Sequence, residues 1–156
     1  MARSITTAFN NAIKSQVVRP FFACELAFST GTLYFWNGYG DLTMTAGGSS
    51  NTFTGLGDLI SVSPIAESDQ VEAIGASLSL TGIKSSLISA ALSALYTNRN
   101  ASIYLGLFDT NKSVVSDVYT LFKGKMDIMK IDEGAESATI TLNLESRLIQ
   151  LERPKN

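Results

Sequence analysis

The side chains of this sequence that could perform chemistry are mainly carboxylates. A pair of carboxylates can act as acid and base without any other group, as in glycoside hydrolysis. Here the acids are scattered, and most fall at predicted turns or on strand faces opposite apolar residues. Solvation is a sufficient role for a carboxylate in such a place, so the pattern favours a protein that is not an enzyme. The acidic positions before the last predicted strand are Glu25, Asp41, Asp58, Glu67, Asp69, Glu72, Asp109, Asp117 and Asp127, followed by the turn cluster Asp132, Glu133 and Glu136.

Histidine and cysteine, which supply the usual catalytic bases, thiol nucleophiles and zinc ligands, are nearly missing from the sequence. Histidine is absent and Cys24 is the single cysteine. Without histidine the sequence excludes Ser-His-Asp and Cys-His catalysis, and it lacks the commonest ligand of zinc. One cysteine excludes an internal disulfide and a CxxC metal motif. Because Cys24 lies in the apolar run "FFACELAF", we expect a buried, unreactive thiol, no bound metal and no cofactor.

A glycine-rich and aromatic stretch offers two further kinds of binding. The segment "NGYGDLTMTAGG" lacks the buried parallel strand before it and the helix after it that phosphate-binding loops require, so it predicts turns. Tyr34, Trp36 and Tyr39 could form a stacking platform for sugars, although aromatic residues in strands mostly fill cores or protein interfaces. A carbohydrate-binding β-sandwich used in host recognition is therefore the alternative function that the sequence leaves open.

Length and composition bound the remaining function classes. The 156 residues predict a single domain over residues 1–156. Charged residues make up 17% of the chain, below the usual quarter, which suits a surface hidden against neighbours. The net charge of -2 provides no basic footprint for nucleic acid. Since no apolar run could cross a bilayer or serve as a signal peptide, we expect no membrane contact and synthesis in a reducing cytoplasm.

The elements that must position these residues begin with a short helix. Residues 4–16 are predicted to be helical, with Ser4 as the N-cap and Arg19-Pro20 ending the segment. The helix either caps the domain or docks on a partner, and the sequence favours neither. Its predicted apolar face consists of Ile5, Ala8, Phe9, Ala12 and Ile13.

After Phe21 the hydrophobic period changes to two. Residues 21–36 predict a hairpin, and an internal α-helix is predicted at 85–99. Turns at roughly ten-residue spacing are typical of an antiparallel sandwich or barrel. The predicted fold class is therefore mainly β, an antiparallel β-barrel or sandwich with an N-terminal helix and one internal helix. Further strands are predicted at 42–45, 52–57, 59–65, 71–80 and 101–109.

The last predicted hairpin surrounds the turn "DEGAES". Its first strand is expected to place Phe122, Met126 and Ile128 on one apolar face. Asp127 lies between lysines in sequence, which suggests a charge pair across strands or between subunits rather than a catalytic acid. The second strand alternates apolar residues from Ala138 to Leu144, and we expect it to offer an unprotected edge to a neighbouring subunit.

The ordered motifs of the chain resemble those of one group of proteins. In order after the first helix they are "RPFFACELAF", "LYFWNGYGDLTM", "FTGLGDLISVSPIAE", "SLSLTGIKSSLISAAL", "IYLGLFD", "FKGKMDIMKI" and "ATITLNLESRLIQLERP". The set, covering nearly the whole chain, is similar to that of small tail-tip or baseplate proteins, of hub or distal-tail type, in long-tailed phages and gene-transfer-agent-like particles. The matching residues are Trp36, Gly38, Gly40, Asp41, Gly55, Gly57, Leu59, Phe122, Gly124, Met126, Asp127, Glu145, Arg147, Leu148, Leu151 and Arg153.

The resemblance implies a structural role in a virion. It implies a tail-tube-like barrel that forms a homo-oligomeric ring, a trimer or hexamer, joining the tail tube to hub, fibre or other distal tail proteins. DNA would pass through the lumen without being specifically bound, and the ring would be assembled in the host cytoplasm. On this interpretation the candidate subunit-interface residues are Asp127, Glu145, Arg147, Glu152 and Arg153.

Overall fold

The computed structural model describes residues 5–57, 60–65, 75–83, 95–115, 118–133 and 138–146. Within these ranges it contains one helix and nine strands. They are α1 (Thr7–Ile13), β1 (Arg19–Phe28), β2 (Gly31–Trp36), β3 (Asp41–Ala46), β4 (Ser49–Gly55), β5 (Ile60–Val62), β6 (Gly75–Ile83), β7 (Asn100–Phe108), β8 (Tyr119–Glu133) and β9 (Ala138–Ser146). The predicted internal helix falls mainly on residues 84–94, outside the described ranges, and stays a prediction there. Its predicted end is wrong, because residues 95–99 are not helical.

All nine strands belong to one sheet, in the order β3-β4-β2-β1-β7-β8-β9-β6-β5. The predicted mainly β, sandwich- or barrel-like class is confirmed, although the sheet is open among the described strands. Every neighbouring pair is antiparallel except β2 and β4, which run parallel. The expectation that the last strand offers a free edge is wrong, because β9 is paired with β8 on one side and β6 on the other. The end strands are β3 and β5.

A large hydrophobic cluster, here called the larger core, gathers side chains from β1, β2 and β6 to β9. Strands far apart in the sheet order contribute to it, because the pairings from β1 through β7, β8 and β9 to β6 place their apolar side chains on one face. Fully burying a side chain such as Leu142 contributes roughly 1.5–3 kcal/mol. The members are Cys24, Leu26, Phe28, Phe35, Ala76, Leu78, Leu80, Ala101, Ile103, Phe122, Met126, Ala138, Ile140, Leu142 and Leu144.

A second cluster, the smaller core, lies on the opposite face of β1 and β7. It exists because the β3–β4 hairpin covers that face, so β1 is buried on both sides. Phe21 and Ala23 therefore point into the smaller core, while Cys24 and Leu26 point into the larger one. The members of the smaller core are Phe21, Ala23, Met44, Ala46, Phe53 and Tyr104.

The helix α1 is shorter than predicted. It begins after Thr6, whose side-chain oxygen accepts a hydrogen bond from the Phe9 backbone N–H at 3.3 Å, so Thr6 and not Ser4 is the N-cap. Phe9 is its buried side chain and packs against the ring of Tyr119 at 6.2 Å. The helix thus docks on its own sheet through one residue.

A bulge in β8 corrects the expected pattern of that strand. The register against β9 shifts between Met126 and Met129. An extra residue at a bulge reverses which side chains face inward. Ile128, expected to be buried, is therefore 52% exposed, while Met129 packs against the larger core. The alternation predicted for β9 is confirmed from Ala138 to Leu144.

Candidate assembly surfaces

The loop between β2 and β3 is locked to the end of β4 by a set of hydrogen bonds, here called the glycine clasp (residues 36–41 and 55–57). The Gly40 carbonyl accepts two bonds, from the Trp36 indole Nε1 and from the Gly55 backbone N–H, each at 2.9 Å. Leu56 N–H donates to the Trp36 carbonyl at 3.0 Å, and Gly57 N–H donates to the Gly38 carbonyl at 2.9 Å. The loop is therefore a rigid connection.

At two positions of the clasp, steric crowding leaves room for no residue but glycine. A Cβ at Gly38 would overlap the ring of Trp36, and a Cβ at Gly55 would overlap the Gly38 carbonyl. Side chains are thus excluded by close backbone and ring packing. The glycine-rich pattern that the sequence singled out builds this joint between β2, β3 and β4.

The three aromatic residues of the alternative function do not form a shared platform. Tyr34 packs edge-on against Phe53 at 5.2 Å. The Trp36 ring makes edge contacts with Phe21 and Phe108, each at 6.0 Å, while its N–H is held by the clasp. Tyr39 alone of the three is largely exposed, at 81%. A sugar would therefore meet one ring here and not a stack of three.

A buried hydroxyl lies beneath the turn at the other end of the β3–β4 hairpin. Tyr104 is 1% exposed, and its hydroxyl donates a 2.8 Å hydrogen bond to Glu25 Oε2. The hydroxyl lies under the β3–β4 turn, 2.9 Å from where a Cβ on Gly47 would be. Burial raises the pKa of Tyr104 to about 12, and the neighbouring Glu25 carboxylate raises it in the same direction. Tyr104 thus stays protonated at neutral pH and keeps its hydrogen bond to Glu25 beneath the turn.

The β3 edge is the long free end of the sheet. Its six residues pair with β4 on one side, and no described strand pairs with the other. Gly40 and Gly55 form a hydrogen-bonded pair, and such pairs alternate along an antiparallel ladder. The outward backbone groups therefore belong to Asp41, Thr43 and Thr45. This edge carries no proline and no lysine, which are the usual protections of an edge strand.

The β5 edge is the short free end. It has three residues, and Pro64 follows two positions after its last residue. Ser63 N–H donates to the Ser77 carbonyl of β6 at 2.9 Å, so by the same alternation Ser61 bonds to β6. The backbone groups of Ile60 and Val62 point away from the sheet.

Exposed apolar side chains surround α1. Phe9 is the one residue of the predicted apolar face that the structure buries fully. The sequence left open whether the helix caps the domain or docks on a partner. The structure shows that it packs on β8, with much of its apolar surface still uncovered among the described residues. The exposed side chains are Ile5 at 41%, Ile13 at 45%, Val17 at 63% and Val18 at 43%.

The predicted interface charges are only partly described. Asp127 lies within the bulge of β8, between Met126 and the half-exposed Ile128. Glu145 is directly opposite Lys125 of β8, so a cationic side chain of its own subunit is its cross-strand neighbour. Arg147, Glu152 and Arg153 lie outside the described residues.

Membrane-spanning helices and metal-binding clusters are both absent from the described residues. No helix among them is long and apolar enough to cross a membrane. In the same part of the chain, no group of three or more histidine, cysteine or acidic residues is arranged to hold a metal ion. Cys24 is completely buried, and burial raises the pKa of its thiol to about 12. The predicted burial of the Cys24 thiol is confirmed.

Comparisons with known proteins bear on the fold. No protein-family model matches the sequence, and no curated protein matches it. Among solved structures, the chain is similar to a chain in the virion of a native gene transfer agent particle, with a TM-score of 0.67 and 14% identity. The similarity covers 97% of this chain and 48% of the other, so this chain spans about half the length of that one. At this identity the similarity concerns the fold.

Proposed function

We propose that this protein is a structural component of a phage tail tip or baseplate. It forms a homo-oligomeric ring, a trimer or hexamer, that connects the tail tube to hub, fibre or other distal tail proteins. The observation that carries the proposal is the similarity in fold, over 97% of the chain, to a chain of a gene transfer agent virion. This similarity agrees with the resemblance of the ordered sequence motifs to tail-tip proteins.

The surfaces of the subunit support an assembling protein. A strand edge without protection normally invites pairing with another chain, and soluble proteins that remain monomeric usually blunt it. Here the β3 edge is open over six residues and is rigidly held by the glycine clasp. The exposed apolar side chains around α1 add a second surface that a neighbour in a particle would cover.

The charge of the chain suits a ring around a DNA channel. With a net charge of -2 the protein has no strong attraction for the phosphate backbone, so DNA can pass without being specifically bound. Binding energy in such a ring belongs to the contacts between subunits. Asp127, Glu145, Arg147, Glu152 and Arg153 remain candidates for charged contacts at those boundaries.

The competing functions have less support. A carbohydrate-binding module needs exposed rings, and two of the three candidate rings pack against other aromatic residues. A hydrolase needs convergent acids, and the described carboxylates lie at separate places in the sheet. The protein is therefore proposed as a structural component of the virion and not as an enzyme.

The test is to locate the protein and measure its assembly. Antibody labelling and electron microscopy of purified particles should place it at the tail tip. Native mass spectrometry of the purified chain, alone and with neighbouring tail proteins, should show a trimer or hexamer. Absence from mature particles, or a monomer under every one of these conditions, would contradict the proposal.

A further inference from the structure

We propose that the β3 edge of one copy pairs with the β5 edge of the next copy, in antiparallel orientation, so that the sheet continues across the subunit boundary. The inference rests on the proposed ring and names the two surfaces that join its subunits. Its basis is the direction of the strands at the two ends of the sheet.

The first step is that a ring requires two different surfaces on each subunit. A head-to-tail contact generates a ring when its rotation closes and an open filament when it does not, whereas a surface that pairs with itself generates a twofold dimer. Among the described strands, the sheet has two unlike free edges, β3 and β5. A single sheet therefore supplies both of the surfaces that a ring requires.

The second step is that these edges run in opposite directions. Seven of the eight steps from β3 to β5 are antiparallel and one, β4 to β2, is parallel. An odd number of reversals leaves β3 and β5 opposed. Rotation about a ring axis along the strands preserves each strand's direction, so β5 of the neighbour meets β3 antiparallel, the more stable type of pairing. A wholly antiparallel sheet would have made this contact parallel.

The third step fixes the register. The outward backbone groups on β3 belong to Asp41, Thr43 and Thr45, and those on β5 belong to Ile60 and Val62. Pairing Thr43 with Val62 and Thr45 with Ile60 of the next copy joins outward groups to outward groups. This register centres the short β5 on the uncharged middle of β3, away from the Asp41 carboxylate.

The side chains agree with this register. Thr43 projects from the face of β3 opposite Met44, which points into the smaller core. The register of β2 with β4 and of β4 with β3 places Thr43 on the same face of the sheet as Phe35. Phe35 and Val62 both contact the larger core, so all three side chains lie on the larger-core face. Thr43 and Val62 of the next copy therefore lie on the same face, as an antiparallel pair requires.

A proline substitution tests the edge without disturbing the subunit. Because the Thr43 N–H points away from β4, Thr43→Pro removes a donor that only a neighbouring copy would use, and proline is tolerated at such edge positions. The matched control is Thr43→Val, which keeps the N–H and the branched side chain but loses the 3.0 Å contact with Thr52. Both variants should keep the wild-type circular dichroism spectrum and melting temperature to within a few degrees.

Native mass spectrometry then separates the outcomes. We expect wild type and Thr43→Val to form the same ring, and Thr43→Pro to shift at least tenfold toward monomer at equal concentration. A folded Thr43→Pro protein that still forms the wild-type ring overturns the inference and leaves the proposed function intact. A wild-type chain that is monomeric alone and in particles overturns both.

Disulfide trapping identifies the paired strands. Copies carrying Thr43→Cys mixed with copies carrying Val62→Cys should give covalent heterodimers on oxidation, and the double variant should give a ladder of multimers. Cys24 does not interfere, because it is completely buried. Covalent dimers formed by Thr43→Cys alone would show β3 pairing with itself and overturn the inference. So would the absence of heterodimers in a mixture that native mass spectrometry shows to be assembled.

Discussion

The two hydrophobic cores differ in how their strands are tied together. The strands of the larger core are mostly interior, and β9 alone pairs along nearly its full length with both β8 and β6. The smaller core depends on the β3–β4 hairpin, which joins the sheet through a parallel pairing of only two residue pairs, Phe35 with Thr54 and Trp36 with Gly55. The larger core therefore carries the global stability, and the smaller core fixes a detachable unit that presents the free edge.

The largest expected effect comes from opening cavities in the two cores. Leu142→Ala in the larger core should lower the free energy of unfolding by about 2–5 kcal/mol, because a fully buried side chain is lost. Phe53→Ala in the smaller core should destabilise the fully packed structure by about 3–5 kcal/mol. Part of this loss should be seen as local opening of the β3–β4 hairpin without unfolding of the rest of the sheet. Urea unfolding measures the change in the free energy of unfolding, and hydrogen exchange measures the local opening of the hairpin.

The proposed difference between the two cores would be contradicted if Leu142→Ala and Phe53→Ala both lost hydrogen-exchange protection equally throughout the sheet. The supporting outcome for Phe53→Ala is early exchange confined to β3 and β4, while β7 to β9 keep their protection. Thr52→Ala, an exposed neighbour on β4, serves as the control and should leave both measurements nearly unchanged.

The next effect comes from the glycine clasp. Gly38→Ala introduces a Cβ that overlaps the Trp36 ring, and the required shift should cost about 1–3 kcal/mol. The damage should fall on the hairpin and weaken ring assembly. Gly48→Asn is the control, because its Cβ site is open and asparagine tolerates the left-handed backbone found there. Equal melting temperatures for Gly38→Ala and wild type would show that the clasp yields without cost.

A smaller effect distinguishes the cores by pH, since each contains one buried group whose pKa is raised. The unfolded chain releases the Cys24 proton above about pH 9 and the Tyr104 proton above about pH 10, whereas the folded chain holds both to about pH 12. The folded state binds more protons in this range, so stability falls as pH rises through it and is unaffected below it.

Variants assign this alkaline loss to each core. Tyr104→Phe should weaken the protein at pH 8 by about 1 kcal/mol, because Glu25 loses its hydroxyl partner, and should flatten the decline above pH 10. Cys24→Ala should flatten the decline that begins near pH 9. Denaturant titrations between pH 8 and 11 provide the measurement, and unchanged slopes in both variants would show that other groups govern the alkaline loss.

The smallest effect on folding should come from the charged residues near the end of the chain. Glu145→Lys places like charges opposite each other on β8 and β9, which should cost the subunit roughly 0.2–1 kcal/mol. Arg147→Glu should weaken assembly more than it weakens folding. Native mass spectrometry beside thermal melting separates these two effects, and a normally assembled Arg147→Glu ring would remove that residue from the interface.

The sequence predicts the strands better than their arrangement. Alternation identifies β9 and the β1–β2 hairpin because burial on one face leaves a clear period of two. It also hides the smaller core, since β1 is buried on both faces and Phe21 and Ala23 carry no separate signal. The exposure of Ile128 was missed because a bulge depends on the pairing of two strands and not on local composition.

The free edge of the sheet was misplaced for a related reason. The last strand has the appearance of an edge in the linear sequence, but β6 comes back to pair with it from far away in the chain. The parallel contact of β4 with β2 is likewise set by the glycine clasp, whose backbone hydrogen bonds join residues far apart in sequence, such as Gly38 and Gly57. Glycine spacing marks these positions as turns, yet it does not say which turns meet.

The central pairing of β1 with β7 has a consequence for the time course of folding. It joins Arg19 to Phe108, so the middle of the sheet cannot form until most of the chain has left the ribosome. The β3–β4 hairpin is local and forms on a microsecond scale, but its docking surface includes Tyr104 of β7. The complete docking surface of the hairpin is therefore available only after β7 has joined the centre of the sheet.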